Sequence, residues 1–517
     1  MSQPTDSIFA DGAPSVVAPD HAGEVECDIA IVGAGVGGAT LAWALRESGA
    51  RVLVIEKGDF LPRERENWSP TAVHREGRYK NSDPWIDADG GEFQPGNYHY
   101  VGGCSKLYGA TLPRFREHDF GEVELHDGTS PAWPFGYDEL EPYYGRAEAL
   151  YWVHGGEGDP TEPWRSTPFP FPPVPHDPAI ASVVDGLSGQ GLRPYTLPQA
   201  LDWRAGGKCV LCGTCDSYSC LVDAKGDADV CAMRPALEHD TVKLMTNADV
   251  RRIATNGPGS AVEALEVTRG GQTFKVRAAR YVVAGGAVNS AALLLRSGPG
   301  GVANSSEQIG RNYMGHPTTF IIGSRPGRDL KIAFEKTVGL NDWYAAGPDN
   351  PYPLGNIQSL GKLYGETIKA ARPWAPTALL SAICRRSVDF LAQSEDLPLE
   401  SNRVEVEANG RIRLRWRPTS LKPHAELVEK GRKALRGAGY PFVFTQSLGI
   451  VATSHQCGTA RMGEDAATSV VDPTGRCHDV ENLWIADSSV FPSSAAVNPA
   501  LTIAALALRT AEHGGLV

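Results

Sequence analysis

Residues 27–58 read CDIAIVGAGVGGATLAWALRESGARVLVIEKG. A short apolar run at 28–32, a glycine-rich turn, a helical pattern and a second apolar run at 52–55 follow one another without a break. Neither run shows the polar alternation of a half-exposed strand. That is the mark of parallel strands covered on both faces, so the stretch predicts one βαβ unit. Gly33, Gly35 and Gly38 have the GxGxxG spacing, and Glu56 closes the second strand 18 residues beyond Gly38. Gly33 permits a tight turn, Gly35 lets the backbone approach a pyrophosphate, and Gly38 allows close helix–strand packing. The helix start offers free N–H groups to the phosphates, and Glu56 supplies an acceptor for ribose hydroxyls. Glycines, strand, helix and acid in register predict dinucleotide binding, without separating FAD from NAD.

The chain around this unit has 517 residues, room for roughly two to four domain-sized units and at least one large core. Its 57 Gly and 38 Pro stay below the share at which low-complexity disorder becomes the default. Net charge is −12 and no basic block is present, which argues against nucleic acid and anionic membrane surfaces as partners. The longest strongly apolar stretch, 500–508, is about half of what a bilayer span needs, and no secretory leader is visible, so a cytoplasmic protein is expected. Residues 1–24 read as a flexible lead-in. The segment 62–100 reads as an irregular loop or lid. Helices are expected at 137–151, 424–438 and 499–512, a second strand–glycine–helix passage at 279–298, and a hairpin turning at Asn409-Gly410.

The C-terminal part carries SHQCGTARMG at 454–463, followed by ENLWIADSSVFP at 481–492 and VNPALTIAALALRTAEH at 497–513. With the N-terminal fingerprint, this resembles the glucose-methanol-choline (GMC) oxidoreductases. In that family a histidine opens an HxxGTxRMG-type motif, and a His or Asn follows about forty residues later, before a helix beneath the flavin. The matching positions are His455 and Asn498, 43 residues apart; Cys477 and Asp479 depart from the usual Val and Gly of the intervening pattern. GGCSKLYGA (102–110) resembles the flavin-contacting glycine loop, AGGAVNSAALLLRSG (284–298) a second FAD-side motif, and Val250 the adenine-side strand position. IGRNYMGHP (309–317) resembles the GxNxxDHP element, with Gly315 in place of Asp; His316 within it is the other histidine with a candidate role near the flavin.

The resemblance implies an α/β Rossmann-like FAD-binding domain from 25–115, 206–319 and 455–517. It also implies an α+β substrate domain with a large antiparallel sheet from 116–205 and 320–454. FAD would be held by Gly33, Gly35, Gly38, Glu56, Gly102, Gly103, Ser105, Val250, Ala284, Gly285, Asp487, Asn498 and Pro499. Covalent attachment through an STHW-like histidine is not expected, because Ser105-Lys106-Leu107-Tyr108 has none. The implied reaction is oxidation of an alcohol to a carbonyl, with His455 as base and Asn498 orienting the substrate oxygen. An imidazole with an ordinary pKa near 6.5 suits the first role. Asn498 could also cap the helix that begins at Pro499, a role compatible with the catalytic one. The forms of 101–120 and 130–144 look closer to the sugar-oxidising branch, so a carbohydrate-like small molecule is the expected substrate, with dioxygen or another acceptor. Aromatics from Tyr98 to Trp164 could stack on sugar rings or simply pack a Pro-rich loop.

Ten cysteines are too few for a disulfide scaffold, but Cys209, Cys212, Cys215, Cys220 and Cys231 fall within 23 residues. The C-x2-C-x2-C-x4-C spacing of the first four is close to the ferredoxin type. An iron–sulfur cluster in an electron-relaying dehydrogenase subunit, a zinc site or staple, and unliganded buried thiols all remain open. A redox-neutral lyase on the same scaffold is a further alternative.

Overall fold

The computed structural model describes residues 7–10, 12–450 and 454–517. Strand Val25–Val32 lies parallel to Val52–Ile55, pairing Ile29 with Val52 through Val32 with Ile55, and helix Val36–Leu45 makes the crossover. Both strands are covered on both faces, as their unbroken apolar runs require. They sit inside a seven-stranded sheet, six of whose strands follow the order Val242–Met245, Val52–Ile55, Val25–Val32, Gln272–Val283, Val262–Arg269, Asp249–Thr255, with Leu483–Ile485 as the seventh beside Gln272–Val283. The first four run parallel and the last three form an antiparallel meander. Strand Gln272–Val283 is long enough to serve two partners: its first half pairs with Val262–Arg269 and its last three residues with Leu483–Ile485. Asn482 marks the handover, its amide exchanging hydrogen bonds with the backbone of Val262 at 2.8 and 3.0 Å.

Helix Ala500–His513 packs on helix Val36–Leu45, and helix Tyr137–Leu150 packs on it in turn, tied by Tyr144 to Thr502 at 2.8 Å. A second sheet of six strands is antiparallel throughout, in the order Phe442–Leu448, Thr318–Ser324, Ser387–Gln393, Asn356–Ser359, Val338–Leu340, Tyr195–Thr196. Its separate core joins Ile321, Ile357 and Phe390 to Leu427 and Val183, from helices Leu421–Gly437 and Pro178–Ser188.

Three expectations change. The described residues of the lead-in are fastened to the sheet edge: Leu244 N–H donates to the Ser15 carbonyl, and Val17 N–H donates back to Leu244. The buried Lys243 and Arg269 need acceptors and find them in the carbonyls of Ala13, Val17, Ala18 and His21. In the 62–100 segment, Trp85 and Ile86 are buried and form a short strand. The hairpin Arg403–Val406 and Ile412–Arg415, expected with the substrate region, pairs with that strand and places Val404, Ile412 and Leu414 in the core of the parallel sheet. Among the described residues no helix is long and apolar enough to cross a membrane.

The glycine turn is built against its surroundings. A Cβ on Gly37 would lie 1.7 Å from the Ala486 carbonyl and one on Gly38 2.0 Å from the Gly33 carbonyl, whereas one on Gly35 would meet nothing within 4 Å. Gly38→Ala is therefore expected to destabilise the protein by about 1–3 kcal/mol, and Gly35→Ala to stay within about 0.5 kcal/mol of the parent. Denaturant melts of the two apoproteins check this; equal midpoints would overturn it.

Candidate active site

A cleft of about 1290 Å³, open to solvent, lies at the carboxyl ends of the parallel strands, where an open α/β sheet places its ligands. Gly33, Gly35, Glu56 and Val250 line it from the parallel sheet and its meander. Gly103 and Ser105 line it from the glycine loop, and Ala284, Gly285, Asp487 and Pro499 from the second glycine turn and the C-terminal segment. Gly38, Gly102 and Asn498 do not reach its wall. Gly38 supports the turn from behind, and Gly102, at φ +95°, donates to the Ala34 carbonyl at 2.8 Å and so sets the glycine loop against that turn. The Glu56 carboxylate accepts from the N–H groups of Ala34 (2.8 Å) and Gly58 (2.9 Å), while burial pushes its pKa up. Asp487 joins two motifs: one oxygen accepts from Gly286 N–H (2.9 Å) and Ser290 Oγ (2.5 Å), the other from Ser489 N–H (2.8 Å) and Oγ (2.5 Å).

These residues fit FAD. The turn is backed by protein at Gly33, Gly37 and Gly38 and left free at Gly35, which faces the cleft, and helix Val36–Leu45 begins there with no side-chain cap on its N–H groups. Sequence patterns did not single out Asn97 and Gln456, whose amides pair reciprocally at 3.2 and 2.9 Å and tie the 62–100 segment to the histidine motif. Gln456 stands at a variable position of that motif, so nothing in the spacing distinguishes it.

His455 lies between Ser454 and Gln456, both on the cleft wall, and its Nε2 is 3.4 Å from Asn498 Nδ2. The Asn498 Oδ1 accepts from Gln358 Nε2 at 3.0 Å. The helix N-cap is Pro499, one residue on, and Asn498 makes no capping bond; its amide is committed to Gln358 and His455. His316 Nδ1 is 3.0 Å from His455 Nδ1, with the rings 77° apart. His455 keeps some exposure but lies deep, and desolvation, then the neighbouring His316 and Lys336, hold its pKa well below 6.5. Lys336 is buried and paired with Asp216 at 2.5 Å, and Asp216 also accepts from Gly361 N–H at 2.6 Å. No sequence motif pointed to Lys336 or Gln358, which arrive from the antiparallel sheet region.

Asp216 belongs to the cysteine-rich loop, and the loop does not fit a metal. Among the described residues no three His, Cys, Asp or Glu side chains form a metal-holding group, and all ten cysteines are unpaired. Cys212 is exposed, Cys215 is buried with its thiol pushed well up by desolvation, and Cys209 is pushed up to about 11. The expected ligand set Cys209, Cys212, Cys215 and Cys220 is thus a group of neighbouring thiols without a shared focus. The loop is held instead by Lys225, fully buried, which donates to the carbonyls of Cys215 (2.8 Å), Tyr218 (2.5 Å) and Tyr108 (2.9 Å). Many of the aromatics between 98 and 164 are likewise structural: Trp133 is buried among Phe115, Phe120 and Phe491.

The GMC oxidoreductase family models match residues 95–318 and 390–507, and a model described as NAD(P)-binding Rossmann-like domain matches 31–62. Paromamine 6'-oxidase of Streptomyces fradiae is 30% identical, over 94% of this chain and 90% of that protein. The 6'''-hydroxyparomomycin C oxidase of Streptomyces lividus is 31% identical with the same coverage. Among solved structures, pyridoxine 4-oxidase from Mesorbium loti superposes with a TM-score of 0.67 at 20% identity, covering 94% of this chain and 98% of that one, a likeness of fold. The chain belongs to the GMC oxidoreductase family, as an FAD-dependent oxidoreductase acting on alcohol groups.

Proposed function

We propose that this enzyme oxidises a CH–OH group of a sugar or amino sugar to a carbonyl, with His455 as the base and Asn498 as the group that orients the substrate oxygen. The observation that carries this reading is the facing pair His455 Nε2 and Asn498 Nδ2, each on a residue whose chain neighbour lines the cleft. FAD, when bound, supplies the two-electron acceptor for the hydride from the carbon. His455 takes the hydroxyl proton at Nε2, and the Asn498 amide donates to the oxygen as the proton leaves. An Asn cannot titrate, so one base carries the proton. Gln358 holds Asn498 by its Oδ1 and the amide NH2 faces His455 Nε2, so the second N–H of that NH2 is the one offered to the substrate oxygen. The sugar-like substrate class is supported by the two relatives named for oxidising paromamine and hydroxyparomomycin C. The same reading keeps the enzyme in the cytoplasm, with dioxygen or another oxidant as electron acceptor. It also divides the chain between an FAD-binding part around the parallel sheet and a substrate part around the antiparallel one.

In anaerobic mixing with paromamine as the first probe, followed by a panel of glycosides, the wild type is expected to bleach. His455→Ala should keep its yellow FAD yet slow bleaching by about a hundredfold or more; reduction at the parental rate would remove His455 as the base. Neutral imidazole is the reactive form and is lost only as pH falls through a pKa that lies below 6.5. The reduction rate should therefore change less than about twofold from about pH 8 to about pH 6.5 and decline only further down; a decline centred on the ordinary imidazole value would count against it. Gly35→Ala is expected to retain its fold but to lose FAD on gel filtration, and full FAD occupancy after such a step would contradict the cradle.

A further inference from the structure

We infer that His316 is a positioning residue for the reaction: it fixes the proton of His455 on Nδ1 and thereby leaves the Nε2 lone pair facing Asn498. The placement follows from a short antiparallel bridge. Met314 and Cys457 exchange both backbone hydrogen bonds, each at 3.0 Å. In an antiparallel pair, two steps forward on one chain lie opposite two steps back on the other and on the same face. His316 and His455 are those two residues, so their meeting is a consequence of register.

The direction of the hydrogen bonds follows from the end of the chain of contacts. The Ser494 carbonyl can only accept, so His316 Nε2, 3.4 Å from it, is the donor. A neutral imidazole carries one N–H, which leaves Nδ1 of His316 as an acceptor. The 3.0 Å contact between the two Nδ1 atoms then requires His455 to be the donor there. With its proton on Nδ1, His455 has a bare Nε2, and that atom faces the Asn498 amide. His316 is 4% exposed, and desolvation takes its pKa down to about 4, so it carries a single proton at neutral pH. A cationic His316 would donate from both nitrogens and force the His455 proton onto Nε2, where it would block the base. A proton arriving at Nε2 makes the Nδ1–H bond to His316 charge-assisted, so neutral His316 also supports the imidazolium it helps to form. A base oriented by a third group is a general device of such sites.

The inference takes its kinetic meaning from His455 as base, but its test needs no substrate. Holoenzyme labelled with 15N-histidine is examined by two-bond 1H–15N correlation, which separates protonated from lone-pair nitrogens, with the His455 signals identified by their loss in His455→Gln. The wild type is expected to show His455 as the Nδ1–H tautomer. His316→Leu, checked for FAD by its visible spectrum, should shift it to Nε2–H, and His316→Asn, whose Oδ1 can stand in for the lost acceptor, should restore Nδ1–H. Wild-type His455 protonated on Nε2, or an unchanged Nδ1–H tautomer in His316→Leu, would overturn the proposal. Because the wild-type spectrum decides by itself, a variant that fails to fold leaves it falsifiable, and a failed His455→Ala bleaching result would sink the base assignment separately.

Discussion

Everything at this site hangs on the close approach of three backbone turns from distant parts of the chain. A side chain at Gly33 would strike the Ala284 carbonyl and one at Gly37 the Ala486 carbonyl, at 2.4 and 1.7 Å. The first glycine turn, the second and the C-terminal segment therefore touch backbone to backbone over the ends of the parallel strands. Asp487 then locks two of them by accepting from both. Because these three turns contribute to the cleft wall, its shape depends on the sheet being complete, including the strand Leu483–Ile485 added at the end of the chain.

The same assembly sets the proposed base and its partner on otherwise rigid elements. His455 is held by the Met314–Cys457 bridge, and Asn498 by Gln358 from the antiparallel sheet and by the helix start at Pro499. Lys336, which acts electrostatically on His455, is paired with Asp216 of the cysteine-rich loop, and Lys225 pins that loop. Desolvation lowers the pKa of both His316 and His455, which favours the neutral imidazole at each.

The cysteine cluster shows how spacing can mislead. Four thiols with ferredoxin-like intervals needed a loop that turns all of them inward. The loop instead buries Cys215, exposes Cys212, and spends its polar contacts on Lys225 and Lys336. Charge pairing and carbonyl capture decide the loop's conformation, and neither is visible in the intervals between cysteines. The docked lead-in is a similar case, since the acceptors for Lys243 and Arg269 lie in a segment whose composition reads as disordered.

What the sequence determined by itself is local or pattern-borne: the strand–turn–helix at 25–45, the glycines that a close approach demands, and the two positions His455 and Asn498 at the ends of recognisable segments. Those features depend on backbone geometry within a few residues, which neighbouring side chains specify. Tertiary structure alone decided which groups meet. His316 lies 139 residues from His455, Gln358 140 from Asn498, and Asn97 359 from Gln456. Strand register and packing bring each pair together, and register is set by the burial of whole faces of the sheets. The proton's place on His455 is therefore fixed by the fold and not by the motif that contains the residue.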